Sequence, residues 1–151
     1  MLNLESAVWI IARLCLGTFL SVALPVIAWI LSRLFLQYAA PDATTIYIMQ
    51  SLIIGVPAGV GAVIAWWNAD APTALKWTIA VTVPPGTALC AWLTLELRGV
   101  YTYYGLLGGS YRVPVIDIGD LLGTIIVASI ITANIFAATP YIYRLFRHHE
   151  N

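Results

Sequence analysis

Glu96, Asp117 and Asp120 are the side chains whose type and spacing come nearest to a chemical site in this chain of 151 residues. Each lies at the end of a long apolar run, so the three acids are expected at one face of the molecule together with Arg98 and Arg112. A ring of acids at the mouth of a path through oil concentrates cations. In an oligomer, three such acids per chain would make a strongly negative vestibule. The plainer reading of the same residues is helix capping and interfacial ion pairing, because a carboxylate at a helix N-terminus meets free backbone donors and the positive end of the dipole.

Other chemistries lack their residues. Asp117-Ile118-Gly119-Asp120 is half of the GxGD motif of intramembrane aspartyl proteases and prepilin peptidases, with Asp117 where the first Gly belongs. Those enzymes also need a second aspartate on another helix so that two carboxyls share one proton, and this chain offers none. A haem-carrying bundle needs axial histidines within its helices, whereas the only histidines are His148 and His149 near the C-terminus. As a metal site that pair lacks a third ligand, and it reads as part of a solvated tail. Zinc-protease, phosphate-loop and nucleophile motifs are missing too, so neither an enzyme nor a cofactor is expected. Cys15 and Cys90 fall at opposite depths, too far apart for a disulfide, and are expected as free thiols.

The elements that would position these residues follow from composition. The chain is 61% hydrophobic and 9% charged, with a mean hydropathy of +0.89. Crossing hydrocarbon takes about 20 apolar residues per helix, so the length accommodates four crossings in a single domain, 1–151, with no separate soluble domain. Seven basic and seven acidic residues give no net charge, which removes the basic excess of a nucleic-acid binder. Glu5 ahead of the first apolar run, and the continuation of that run to Leu36, argue against a signal peptide.

The expected fold is therefore an all-α membrane protein, a bundle of four transmembrane helices at about 6–36, 46–67, 74–97 and 117–143, with a tail at 144–151. Its helices are Pro- and Gly-kinked, and a longer Tyr- and Gly-rich loop joins the third to the fourth. The second and third helices form a hairpin around Asn68 to Thr73, with Thr44 or Thr45 expected to cap the second and Asp70 the third. Gly55 and Gly59 make a GxxxG pair that admits another helix at close range, and with Pro57 they form a packing seam or hinge. Pro84, Pro85 and Gly86 should kink the third helix sharply or unwind it, leaving loosened carbonyls for a hydroxyl such as Thr82 or Thr87. Pro25 should bend the first helix, while Pro140 marks the end of the fourth. Asn134 in an apolar interior should bond another helix. Trp9 and Trp29 read as interfacial anchors, with Arg13 snorkelling to the near surface. Tyr101, Tyr103, Tyr104 and Tyr111 crowd the last link, where Val100 to Tyr104 and Tyr111 to Val115 read as a hairpin. Those tyrosines suit an interfacial flap or a partner-docking surface.

With four crossings both termini share a side, which collects Arg13, Lys76, Arg144 and Arg147 against Arg33, Arg98 and Arg112 opposite. The tail cations favour a multi-pass topology with both termini cytoplasmic. The halves do not repeat: matching Pro25 to Pro85 leaves Asp117 opposite Pro57. Short links, small-residue seams and the absence of redox ligands lead to the expectation of a non-catalytic subunit of a larger membrane complex. Its partners would be the lipid bilayer and other membrane subunits or copies of itself. The alternative is a small homo-oligomeric channel or transporter with Glu96, Asp117 and Asp120 at its mouth.

Overall fold

A computed structural model describes residues 4–36, 43–68, 70–97, 100–104, 110–114 and 118–147, with side chains described in 5–32, 48–68, 70–97 and 122–144. It contains four helices: α1 (Leu4–Leu36), α2 (Ala43–Trp66), α3 (Thr73–Leu97) and α4 (Ile118–Arg147). All four are long and apolar enough to cross a membrane. Two short strands, β1 (Val100–Tyr104) and β2 (Ser110–Pro114), pair antiparallel between α3 and α4, with Tyr103 opposite Tyr111. The second strand begins one residue before the position read from the sequence. Residues 105–109 lie outside the described residues.

The helices keep to their apolar runs, because uninterrupted hydrophobic sequence in an aliphatic environment leaves the backbone no hydrogen-bond partner except its own turn. Pro25, Pro57, Pro84, Pro85 and Pro140 all lie inside helices. α3 is continuous across Pro84-Pro85, so of the two outcomes expected there local unwinding does not occur. α4 runs to Arg147, four residues beyond its expected end at 143, so the start of the expected tail is about one more helical turn. The cap positions shift as well. α2 begins at Ala43, which puts Thr44 and Thr45 in its first turn, and α3 begins at Thr73 with the Lys76 N–H bonded to the Pro72 carbonyl. In the turn between them Asn68 does the polar work: its side-chain oxygen accepts the Asp70 N–H and its carbonyl accepts the Ala71 N–H.

α2 is the central element, packed against the other three, while α4 touches α1, α2 and α3 and the pair α1 and α3 stay apart among the described residues. Glycine decides how closely α2 is approached. A Cβ added at Gly55 would lie 2.5 Å from the Cα of Ala88, and one at Gly59 would lie 2.5 Å from the Cα of Pro84. On the other side of α2, a Cβ at Gly61 would lie 2.7 Å from the carbonyl of Leu20 in α1. Two apolar clusters fill the interior. One is built on Ala62, Val63, Trp66, Ile79, Val83, Ala133 and Ala137, the other on Ile54, Ala91, Leu95 and Ile125. Between them along the helices lie the buried hydroxyls of Ser21, Thr87 and Ser129.

Candidate functional site

Three of the polar side chains inside the bundle, Asn134, Trp66 and Ser21, form a lock that joins three helices, while the buried hydroxyls of Ser51 and Ser129 make no hydrogen bond among the described residues. Asn134, 7% exposed on α4, accepts the indole N–H of Trp66 on α2 at 3.2 Å. Its amide nitrogen donates to the Ile130 carbonyl at 2.9 Å and to the Ser21 hydroxyl of α1 at 3.4 Å. Ser21 in turn donates to the Ala58 carbonyl of α2 at 3.0 Å. Each member of the lock thus finds a partner from a different helix, which is how a polar side chain escapes the desolvation penalty of an apolar interior. Gly17, one helical turn before Ser21, makes room for this arrangement: a Cβ there would lie 2.1 Å from Asn134 Oδ1 and 3.2 Å from Trp66 Nε1.

A second constellation surrounds the C-terminal end of α2. Arg13 on α1 donates from Nη1 to the carbonyls of Ala65 at 2.5 Å and Trp67 at 2.8 Å. Ala65 lies in the last turn of α2 and Trp67 immediately beyond its end, where backbone acceptors are left without donors and the dipole is negative. The Arg13 guanidinium also lies 5.1 Å from the centroid of the Trp9 ring, and Trp9 meets Trp66 edge-on at 6.0 Å. Lys76, at the start of α3, places its ammonium 5.8 Å from the Trp67 ring centroid. Tyr141 on α4 is buried, its hydroxyl hydrogen-bonded with the backbone of Asn68 and within electrostatic reach of both Arg13 and Arg144. Arg13 is thus a cap supplied in trans as well as a residue near the surface.

The sequence candidates are distributed differently. Glu96 is half-buried in the last turn of α3. Asp117 lies outside the described residues, and for Asp120 only the backbone, in the first turn of α4, is described. Tyr101, Tyr103, Tyr104 and Tyr111 have backbone positions in the strands, and their side chains likewise lie outside the described residues. Gly55, Gly59 and Pro84 are brought together at the α2–α3 contact, with Pro84 buried and Pro57 half-buried. Pro85 is exposed, and a Cβ at Gly86 would meet the Phe136 ring at an ordinary 3.7 Å. Thr82 and Thr87 do not reach the carbonyls of Ala80 and Val81 that the prolines release. They donate to Thr78 and Val83 within their own helix. Thr78, Thr94, Thr132 and Thr139 do the same one turn back. Cys15 and Cys90 are free thiols.

Sequence reading passed over Gly17, Ser21, Gly61 and Trp66 as members of one seam. Gly17 and Ser21 form a small-x-x-x-small pair that was available as a signal. An apolar groove of about 250 Å³ opens between α1, α2 and α4, lined by Val22, Pro25, Val26, Trp29, Ile54, Leu122 and Ile126. Among the described residues no three His, Cys, Asp or Glu side chains come together in a way that could hold a metal. Comparison with known proteins finds no matching family model and no similar curated protein or solved structure.

Proposed function

We propose that this chain is a multi-pass, non-catalytic subunit of a larger membrane protein assembly, with both termini on the cytoplasmic side. The observation that carries this reading is the closure of the interior. α2 meets α3 backbone to backbone at Gly55–Ala88 and Gly59–Pro84, and the polar atoms of Asn134, Trp66 and Ser21 are engaged with one another. A group committed to internal bonds contributes to architecture, which supports a role for the outside of the bundle in meeting other molecules. There, little of the apolar span of α1 is buried, and the groove beside Pro25 and Trp29 offers an indentation for an inserted side chain.

Closure at Gly59 and Pro84 also weighs against a path past the prolines within one copy, so a homo-oligomeric channel would have to run between copies. Extraction in a gentle detergent followed by native mass spectrometry tests the proposal. Co-purifying polypeptides of defined stoichiometry are expected, and a clean monomer with no partner would overturn it. Ion flux through liposomes holding this polypeptide alone, reduced by neutralising Glu96, would favour the channel instead.

A further inference from the structure

We infer that the bundle is hinged at the level of Pro57 and Pro84-Pro85. The arms of α2 and α3 beyond these prolines, residues 43–56 and 86–97, swing as a pair against α4, while the half that holds the Trp66–Asn134 lock stays fixed. The motion belongs to the chain itself and does not depend on a partner.

The backbone ladder is interrupted in two neighbouring helices at one depth. A proline donates no N–H, so Pro57 leaves the Ile53 carbonyl, and Pro84 and Pro85 leave those of Ala80 and Val81, without the usual donor one turn on. Helices bend where the ladder is interrupted. A Cβ at Gly59, on the same turn as Pro57, would lie 2.5 Å from the Pro84 Cα, so the two breaks touch backbone to backbone. Gly59 has no side chain to interlock with its neighbour, and this contact serves as the pivot. Beyond it Gly55 meets Ala88 just as closely, which ties the two arms into one unit. α4 has its proline only at Pro140, so it stays straight while the pair moves.

What holds each half to α4 differs in kind. Toward the α2–α3 turn, Asn134 joins Trp66 and Ser21 through directional hydrogen bonds. Away from the turn, Ile54, Ala91 and Leu95 meet Ile125 through apolar contact, which has no preferred direction and permits sliding. The hydroxyls of Ser51 on the α2 arm and Ser129 on α4 are buried without a hydrogen bond among the described residues. An unmet hydroxyl is a penalty of the closed state that opening relieves. Space is available on the same side, where the groove of about 250 Å³ borders Ile54, Leu122 and Ile126.

Spin-label distances in the full chain test the hinge, in detergent and again in phosphatidylcholine nanodiscs, with Cys15 and Cys90 replaced. Labels at Leu93→Cys and Val127→Cys span α3 and α4 on the moving side. Labels at Thr78→Cys and Tyr143→Cys span the same helices on the locked side, and all four positions are exposed. One narrow distance is expected for the locked pair, and a broad or two-peaked distribution for the moving pair. Pro85 is exposed, so Pro85→Ala restores a donor to Val81 without disturbing the pivot. It should narrow the moving pair towards the width of the locked pair, and adding Pro57→Ala should narrow it further. Pro85→Ala alone decides the matter where the double variant loses the locked-pair peak. Equal widths for the two pairs in the parent chain, or a moving-pair distribution that Pro85→Ala leaves unchanged, would overturn the proposal. A locked pair as broad as the moving pair would show a bundle loose throughout and refute the fixed half.

Discussion

The indole N–H of Trp66 points at Oδ1 of Asn134 across 3.2 Å, joining the last turn of α2 to the middle of α4 in a region where both residues are buried. A tryptophan beside a surface turn would ordinarily be an interfacial anchor. Here Trp66 is 0% exposed, and its neighbour Trp67 takes the outer position. The pair fixes the depth of α4 against α2, because a shift by one helical turn would strand both polar atoms in hydrocarbon.

Replacing Asn134 with Leu therefore leaves the Trp66 N–H and the Ser21 hydroxyl short of a partner. A loss of about 1–3 kcal/mol is expected from the unmet groups. A double-mutant cycle with Trp66→Phe, read by denaturation in mixed micelles, should give a coupling of about 0.6–1.7 kcal/mol, the range seen for interhelical hydrogen bonds in membranes. Strict additivity would mean that the bond contributes nothing.

Gly17→Ala and Gly123→Ala make a matched pair. The added methyl at position 17 lands 2.1 Å from Asn134 Oδ1, whereas at position 123 nothing lies within 4 Å. The first should cost about 1–3 kcal/mol, as overpacking does. The second should be neutral or gain up to about 1 kcal/mol from helix propensity. Thermal midpoints measured in one detergent decide it, and equal effects at the two sites would contradict the packing of α1 on the lock.

Gly59→Ala meets backbone, with Pro84 Cα at 2.5 Å, so relief requires α2 and α3 to separate. Gly86→Ala meets only the edge of the Phe136 ring at 3.7 Å. Size-exclusion profiles should accordingly show polydispersity or loss of the folded peak for Gly59→Ala, with Gly86→Ala close to the parent.

Arg13→Gln removes the cation from the carbonyls of Ala65 and Trp67 while leaving the apolar packing of α1 in place. Fraying at the end of α2 is the expected result, worth about 1–2 kcal/mol for a charge-assisted cap that is partly exposed. Hydrogen exchange should accelerate at the amides of 64–68 and remain unchanged near Gly55. Uniform acceleration along α2 would indicate general unfolding instead.

The proposed topology, in which each of the four apolar helices crosses the membrane, puts the turn at Asp70 on the side of the termini and the β hairpin on the other. In a background with Cys15 and Cys90 replaced, Asp70→Cys should label from the same side as an N-terminal tag, and Thr102→Cys from the opposite side. Labelling of both from one side would reduce the number of spans.

The number and approximate limits of the helices were legible in the chain because hydropathy over some 20 residues is a local quantity. Runs such as Ile48–Trp66 announce themselves without knowledge of their neighbours. The GxxxG spacing of Gly55 and Gly59 likewise located a face, since residues four apart always align on one side of a helix. Endings were less legible. The fourth helix read as ending near Tyr143, yet α4 continues about one turn further to Arg147, since no Gly or Pro follows Pro140 to stop it.

What sequence determined by itself is thus the set of rods: four runs long and apolar enough to cross a membrane. Which rod touches which belonged to the tertiary structure alone. Gly17, Ser21, Trp66 and Asn134 are separated by up to 117 positions, counting from 17 to 134, and nothing local to any of them specifies the other three. Their meeting depends on three helices agreeing in depth and rotation at once, a condition imposed by close packing between surfaces and by the cost of leaving any buried polar atom unmet.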